Sequence, residues 1–86
     1  MRIAERIEAE ALELAVLGVR DNGTELNMAL KAEPGSAIAT IRYYAEAIDK
    51  INGEITPTAP GALGLVHREP VGVVGVIVPW NMPLMI

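Results

Sequence analysis

Cysteine is missing from all 86 residues, and so is phenylalanine; Trp80, Tyr43 and Tyr44 are the only aromatic side chains of the Phe, Trp and Tyr set. Without cysteine the chain can hold no disulfide, no thiolate metal site and no thiol nucleophile of its own. Without phenylalanine the core must be built from Ala, Val, Ile and Leu, where a fully buried Val or Leu contributes roughly 1.5–3 kcal/mol. A chain of this length is one small domain at most, and it buries a limited fraction of its surface. Long apolar runs are also lacking: nothing reaches the ~18 consecutive residues that a membrane-spanning helix needs. Positive charge is scarce, with seven bases against eleven acids and a net charge of −4. The bases stand singly, so no stripe could follow a phosphate backbone, and nucleic acid is not expected as a partner. The N-terminal MRIAERIEAEALEL mixes charged with apolar residues and lacks the uncharged centre of a signal peptide. Neither membrane nor metal is expected, and the expected location is the cytoplasm.

What is present divides into two textures. Residues 2 to about 18 read as an amphipathic helix, with Ile3, Ile7, Ala11 and Leu14 on one face and Glu5 to Glu13 mostly on the others. Arg20-Asp21-Asn22-Gly23 ends it, Asn22 and Gly23 being suited to positive φ. Thr24 is placed to cap a short second helix through Leu26 and Leu30. Pro34-Gly35 then interrupts, and Ser36 is placed to cap a third helix along Ile38, Ile41, Ala45 and Ile48. Asn52-Gly53 is expected to close that helix in a left-handed cap. The pair Tyr43-Tyr44 is expected to bury one ring and leave the other at the boundary.

Beyond Gly53 the pattern is β-like. Residues 54–58 and 65–69 predict a long-looped hairpin, with Pro70 marking an edge. His67 reads as a surface residue, since no partner stands at metal-ligand spacing. Residues 71–79 predict a strand covered on both faces, as in a parallel sheet. Gly72 and Gly75 lie inside that strand rather than in a phosphate loop, because the dinucleotide fingerprint needs three glycines opening a helix. The class is therefore α/β but incomplete: three helices, a hairpin and one buried strand.

The residues with chemical potential are Ile77, Val78, Pro79, Trp80, Asn81 and Met82. Pro79 and Pro83 stiffen the turn at the carboxyl end of the predicted strand, where open α/β sheets bind ligands. An Asn amide held there can donate to negative charge developing on an oxygen. It can equally be an ordinary helix cap.

The stretch REPVGVVGVIVPWNMPLMI, residues 68–86, closely resembles the segment around the Pro-Trp-Asn motif of the aldehyde dehydrogenase superfamily. RDNG at 20–23, RYYAEAIDKINGE at 42–54 and Pro57-Thr58 match the same family in the same order, from about Leu12 onward. The bacterial members acting on amino-, betaine- or γ-glutamyl-type aldehydes look nearest. The resemblance implies that Asn81 is an oxyanion-hole donor for the thiohemiacetal, that Ile77, Val78, Pro79 and Trp80 line NAD or NADP, and that Met82 lines the substrate tunnel. It further implies that residues 1–53 flank the cofactor domain, that 54–70 form a hairpin of oligomerisation type, and that 71–86 begin the NAD(P)-binding domain.

Three positions depart from the family's pattern. Met82 stands where Phe is usual, Thr24-Glu25 where Lys-Pro is frequent, and Gly18 interrupts the end of the first helix at a cost of roughly 1 kcal/mol relative to Ala. The family's nucleophilic Cys and its general base Glu have no counterpart here, and covalent catalysis needs both. The expectation is an N-terminal piece of an aldehyde dehydrogenase, inactive and without bound cofactor by itself. The alternative is a non-catalytic oligomerisation or interaction module that pairs, through its hairpin and strand, with another copy or a full-length relative.

Overall fold

Helix formation dominates the first half of the chain because Ala, Leu and Glu, all strong helix formers, fill it. A computed structural model describes all residues, Met1–Ile86. Helix α1 spans Arg2–Ala9, α2 Ala11–Asn22 and α3 Leu26–Ala47, followed by a 3₁₀ turn at Ile48–Lys50. The predicted first helix is thus two, and it runs on to Asn22. The break at Glu10 contains neither Pro nor Gly, and hydrogen bonds continue across it, from Glu10 N–H to the Arg6 carbonyl and from Leu14 N–H to the Glu10 carbonyl. Apolar periodicity does not change there, so the pattern carries no sign of it. Gly23 ends α2 in the left-handed conformation, φ 76°, as the sequence leads one to expect.

The expected second and third helices are one. The cap is Glu25 rather than Thr24: its carboxylate accepts the backbone N–H groups of Asn27 and Met28, both at 3.0 Å. Pro34 lies inside α3 instead of ending it. A helix-interior proline costs ~3 kcal/mol through its missing N–H and its clash with the preceding turn. Here Pro34 is fully buried, so packing offsets that cost. Nor is Gly53 a left-handed cap, since only Gly23, Gly61 and Gly72 have positive φ.

Helix α3 lies against both α1 and α2. The buried residues are small: Ala4, Ala15, Ala29, Ala37 and Pro34, together with the carboxylate of Glu33. Larger side chains of the expected faces are half-covered or open, with Ile3 67% and Ile48 76% exposed. Alanine contacts let the helices approach closely, and the aliphatic residues flank the contact rather than fill it. Tyr43 and Tyr44 are both exposed and meet edge-to-face, centroids 5.1 Å apart, so neither ring is buried. An Arg42–Glu8 pair at 2.6 Å ties α3 to α1 at the surface.

The hairpin forms as expected, though shorter. Strand β1 (Glu54–Thr56) pairs antiparallel with β2 (Gly64–Val66), Glu54 opposite Val66. Arg68 braces its base, donating to the Asn52 carbonyl and the Glu54 carboxylate. Gly53 is required here for space: a Cβ on it would stand 2.6 Å from the Val66 carbonyl oxygen. His67 is exposed, beside Glu69.

The predicted buried strand at 71–79 is absent. That segment is irregular and unpaired, with a positive φ at Gly72, and Val73 and Ile77 are fully exposed. A strand needs a neighbouring ladder, and the hairpin does not extend to supply one. The radius of gyration is 18.8 Å and the long dimension 61 Å. A compact domain of this length would have a radius near ~12 Å.

Two predictions follow from this packing. The Glu25 carboxyl is held below its ordinary value by the Asn27 N–H first and the Met28 N–H second. A depressed folded pKa means that the cap's contribution is present above the unfolded value and lost as pH falls through the folded one. Helicity by circular dichroism should therefore decline below about pH 4.5, the ordinary glutamate value, and Glu25→Gln should flatten that decline. Separately, Gly53→Ala should cost ~1–3 kcal/mol through overpacking and abolish cross-strand NOEs between Glu54 and Val66. Retained NOEs would show that the backbones do not approach this closely.

Candidate functional site

The proline-flanked turn is where the two halves of the chain meet. Met82 begins a single helical turn, its carbonyl accepting the Ile86 N–H at 3.1 Å. Pro83 then falls at the first helical position, where its missing N–H costs nothing. Asn81 lies just outside this turn. Its side-chain amide makes no intramolecular hydrogen bond, so it is not the cap that the alternative reading allowed. Its backbone, by contrast, is fastened.

The fastening comes from helices α2 and α3. Asn22, the last residue of α2, donates from Nδ2 to the carbonyl of Asn81 at 3.2 Å and, more weakly, to that of Trp80 at 3.4 Å. Its Oδ1 accepts the Thr24 N–H at 2.8 Å. Glu33, only 7% exposed, accepts the Leu84 N–H on Oε2 at 3.1 Å. Asn22 was legible in sequence only as a turn residue, and Glu33 not at all. A signal for Glu33 does exist: it lies four residues from each of Ala29 and Ala37, so a carboxylate interrupts a stripe of small buried residues. A buried polar group is the informative observation in such a stripe.

The other residues expected at the site are placed less completely. Ile77, Pro79 and Trp80 are exposed, while Val78 and Met82 are half-buried. Residues 77–80 line no cavity. A cavity of about 310 Å³ lies beneath the following turn, between Leu14, Leu17 and Gly18 of α2, Glu33 and Pro34 of α3, and Pro83 and Leu84. As for a nicotinamide cofactor, the apolar edge from Ile77 to Trp80 suits a flat ring, but no basic side chain follows Arg68 to meet a pyrophosphate. The fit extends to that one edge.

Helices packed through alanine, a braced hairpin and a Pro-Trp-Asn turn fastened to α2 and α3 define a segment of a known enzyme fold. The chain belongs to the aldehyde dehydrogenase family, whose sequence profile matches residues 1–86. It is 45% identical over 85 residues to the NADP/NAD-dependent aldehyde dehydrogenase PuuC of Escherichia coli (strain K12), covering 99% of this chain and 17% of that protein. It is 42% identical over 85 residues to the aminoacetaldehyde dehydrogenase of Pseudomonas aeruginosa, with the same coverage. Among solved structures, the aldehyde dehydrogenase KauB from Pseudomonas aeruginosa superposes with a TM-score of 0.82 at 48% identity, over 98% of this chain and 17% of that one. The chain thus spans about one sixth of the length of the curated relatives it matches.

Gly18 offers a test of the cavity wall. A Cβ there would meet Glu33 Oε1 at 3.7 Å, an ordinary contact. Gly18→Ala should therefore stabilise α2 by up to about 1 kcal/mol, seen as a higher Tm in thermal unfolding. A lowered Tm would mean that the wall tolerates no added group.

Proposed function

We propose that these residues form one wall of an NAD(P)-dependent aldehyde dehydrogenase site, with Asn81 as the oxyanion donor. The observation that carries this reading is the contrast within Asn81: its backbone carbonyl is tied by Asn22, while its side-chain amide has no partner inside the chain. A preorganised donor with no competing bond stabilises a developing oxyanion without reorganisation. A bound nicotinamide cofactor would supply the hydride acceptor. Ile77, Val78, Pro79 and Trp80 would form the apolar edge beside its ring, and Met82 would contribute a softer wall to the aldehyde's path than an aromatic ring. The name of one relative, aminoacetaldehyde dehydrogenase, makes an amino-substituted aldehyde the first substrate to try.

The 86 residues contain no thiol, so the chain by itself is expected to give no aldehyde-dependent cofactor reduction; steady-state turnover by the purified chain would overturn this reading. A hybrid enzyme in which this chain replaces the matched stretch of the Escherichia coli relative should oxidise aldehydes. In that hybrid, Asn81→Ala should lower kcat by about 10²–10³-fold, the usual effect of losing one oxyanion donor.

A second reading has its own support in the exposure of Val71, Val73 and Ile77. Uncovered β-rich segments add strands to a partner's sheet edge. On that reading the segment pairs with a second copy or a full-length relative without catalysis. Sedimentation velocity should then show a discrete oligomer that Val73→Lys disperses.

A further inference from the structure

We infer that Asn22 and Glu33 act together as positioning residues that set the location and rotation of Asn81, an inference that rests on the reading of Asn81 as the oxyanion donor. Beyond Arg68, which is tied to the base of the hairpin, the segment through Pro79 makes no ladder hydrogen bond, so no sheet pairing holds the turn from upstream. Its polar attachments to the helices are those of Asn22 and Glu33, and they bracket Asn81. Asn22 holds the carbonyls of Trp80 and Asn81, and Glu33 holds the N–H of Leu84. One attachment would leave the turn free to pivot. Two, three or four residues apart along the backbone, fix it.

Each attachment has a chemical reason for its residue type. In Asn22 the Oδ1 accepts the Thr24 N–H, which commits Nδ2 to face the two carbonyls. The flipped amide would set an oxygen against two oxygens, and an aspartate there could not donate at all. For Glu33 the need lies in its partner. Leu84 occupies the second helical position of the turn begun by Met82, after Pro83, and its N–H has no acceptor within the turn. A residue at the Met82 position would ordinarily cap it with a side-chain oxygen, which methionine lacks. Glu33 caps the turn from another helix instead. Its placement one residue before Pro34, inside the buried contact of α3, keeps the carboxylate from swinging into solvent.

Displacing a reacting group by 1 Å can cost on the order of 10²-fold in rate. The test compares Asn22→Ala, Asn22→Asp, Glu33→Ala and Glu33→Gln in the 86-residue chain and in the hybrid enzyme described above. In the chain, Trp80 is the sole tryptophan and reports the turn directly. Asn22→Ala, Asn22→Asp and Glu33→Ala should lower its time-resolved anisotropy. Glu33→Ala should also speed hydrogen exchange at the Leu84 amide at least tenfold, with helical circular dichroism retained. Glu33→Gln keeps an acceptor oxygen and should restore both readouts. In the hybrid the same three variants should lower kcat ten- to a hundredfold with KM within about twofold, and Glu33→Gln should recover most of it. The inference is overturned if Trp80 anisotropy and Leu84 exchange are unchanged in Glu33→Ala, or if Glu33→Gln is as impaired as Glu33→Ala. An inactive hybrid carrying the unaltered chain would count against the functional reading instead, and the Trp80 and Leu84 measurements would still decide whether the turn is held by these two residues.

Discussion

The close contact of α3 with α1 and α2 is the constraint on which the other parts depend. Four alanines and a buried proline make that contact, and small residues bring helix backbones near enough for short polar side chains to bridge between elements. Glu33 reaches Leu84, and Asn22 reaches the Trp80 and Asn81 carbonyls, because α2 and α3 already lie at that separation. Larger residues at Ala15 or Ala29 would push the helices apart and move both attachment points. The helical layer therefore acts as a base plate, and the proline-flanked turn is mounted on it.

Pro34 shows how packing overrides local preference. Proline and glycine in succession are the strongest local sign of a helix end, and Ser36 after them is a good cap. The helix nevertheless continues, because Pro34 is buried and Glu33 beside it gains a tertiary partner. The Thr24-Glu25 pair, unusual beside the family's pattern, has a local consequence of the opposite kind. Glu25 caps α3 with two hydrogen bonds that a proline at that position could not make.

Much of the site was legible and much of the fold around it was not. The stop at Asn22-Gly23, the hairpin, the exposed His67 and the membership of the aldehyde dehydrogenase family could all be read from residues. Each depends on turn chemistry or on motifs contiguous in the chain. The strand at 71–79 was read wrongly for a physical reason. An apolar run states that a segment wants cover on two faces, but a strand exists only where another backbone supplies hydrogen bonds. The break at Glu10 was missed because apolar periodicity is continuous through it, and the merged helix α3 because burial of Pro34 outweighs the breakers Pro34-Gly35.

Sequence alone determined the composition of the core, the turn formers, and the presence of Pro79-Trp80-Asn81 with its stiffening prolines, because these properties belong to single residues and their near neighbours. Only the tertiary structure decided what holds that turn. Asn22 and Asn81 are 59 residues apart, and Glu33 and Leu84 are 51 apart. Hydrogen bonds at that separation depend on where the end of α2 and the middle of α3 are placed by packing, a property that no local pattern in the chain expresses.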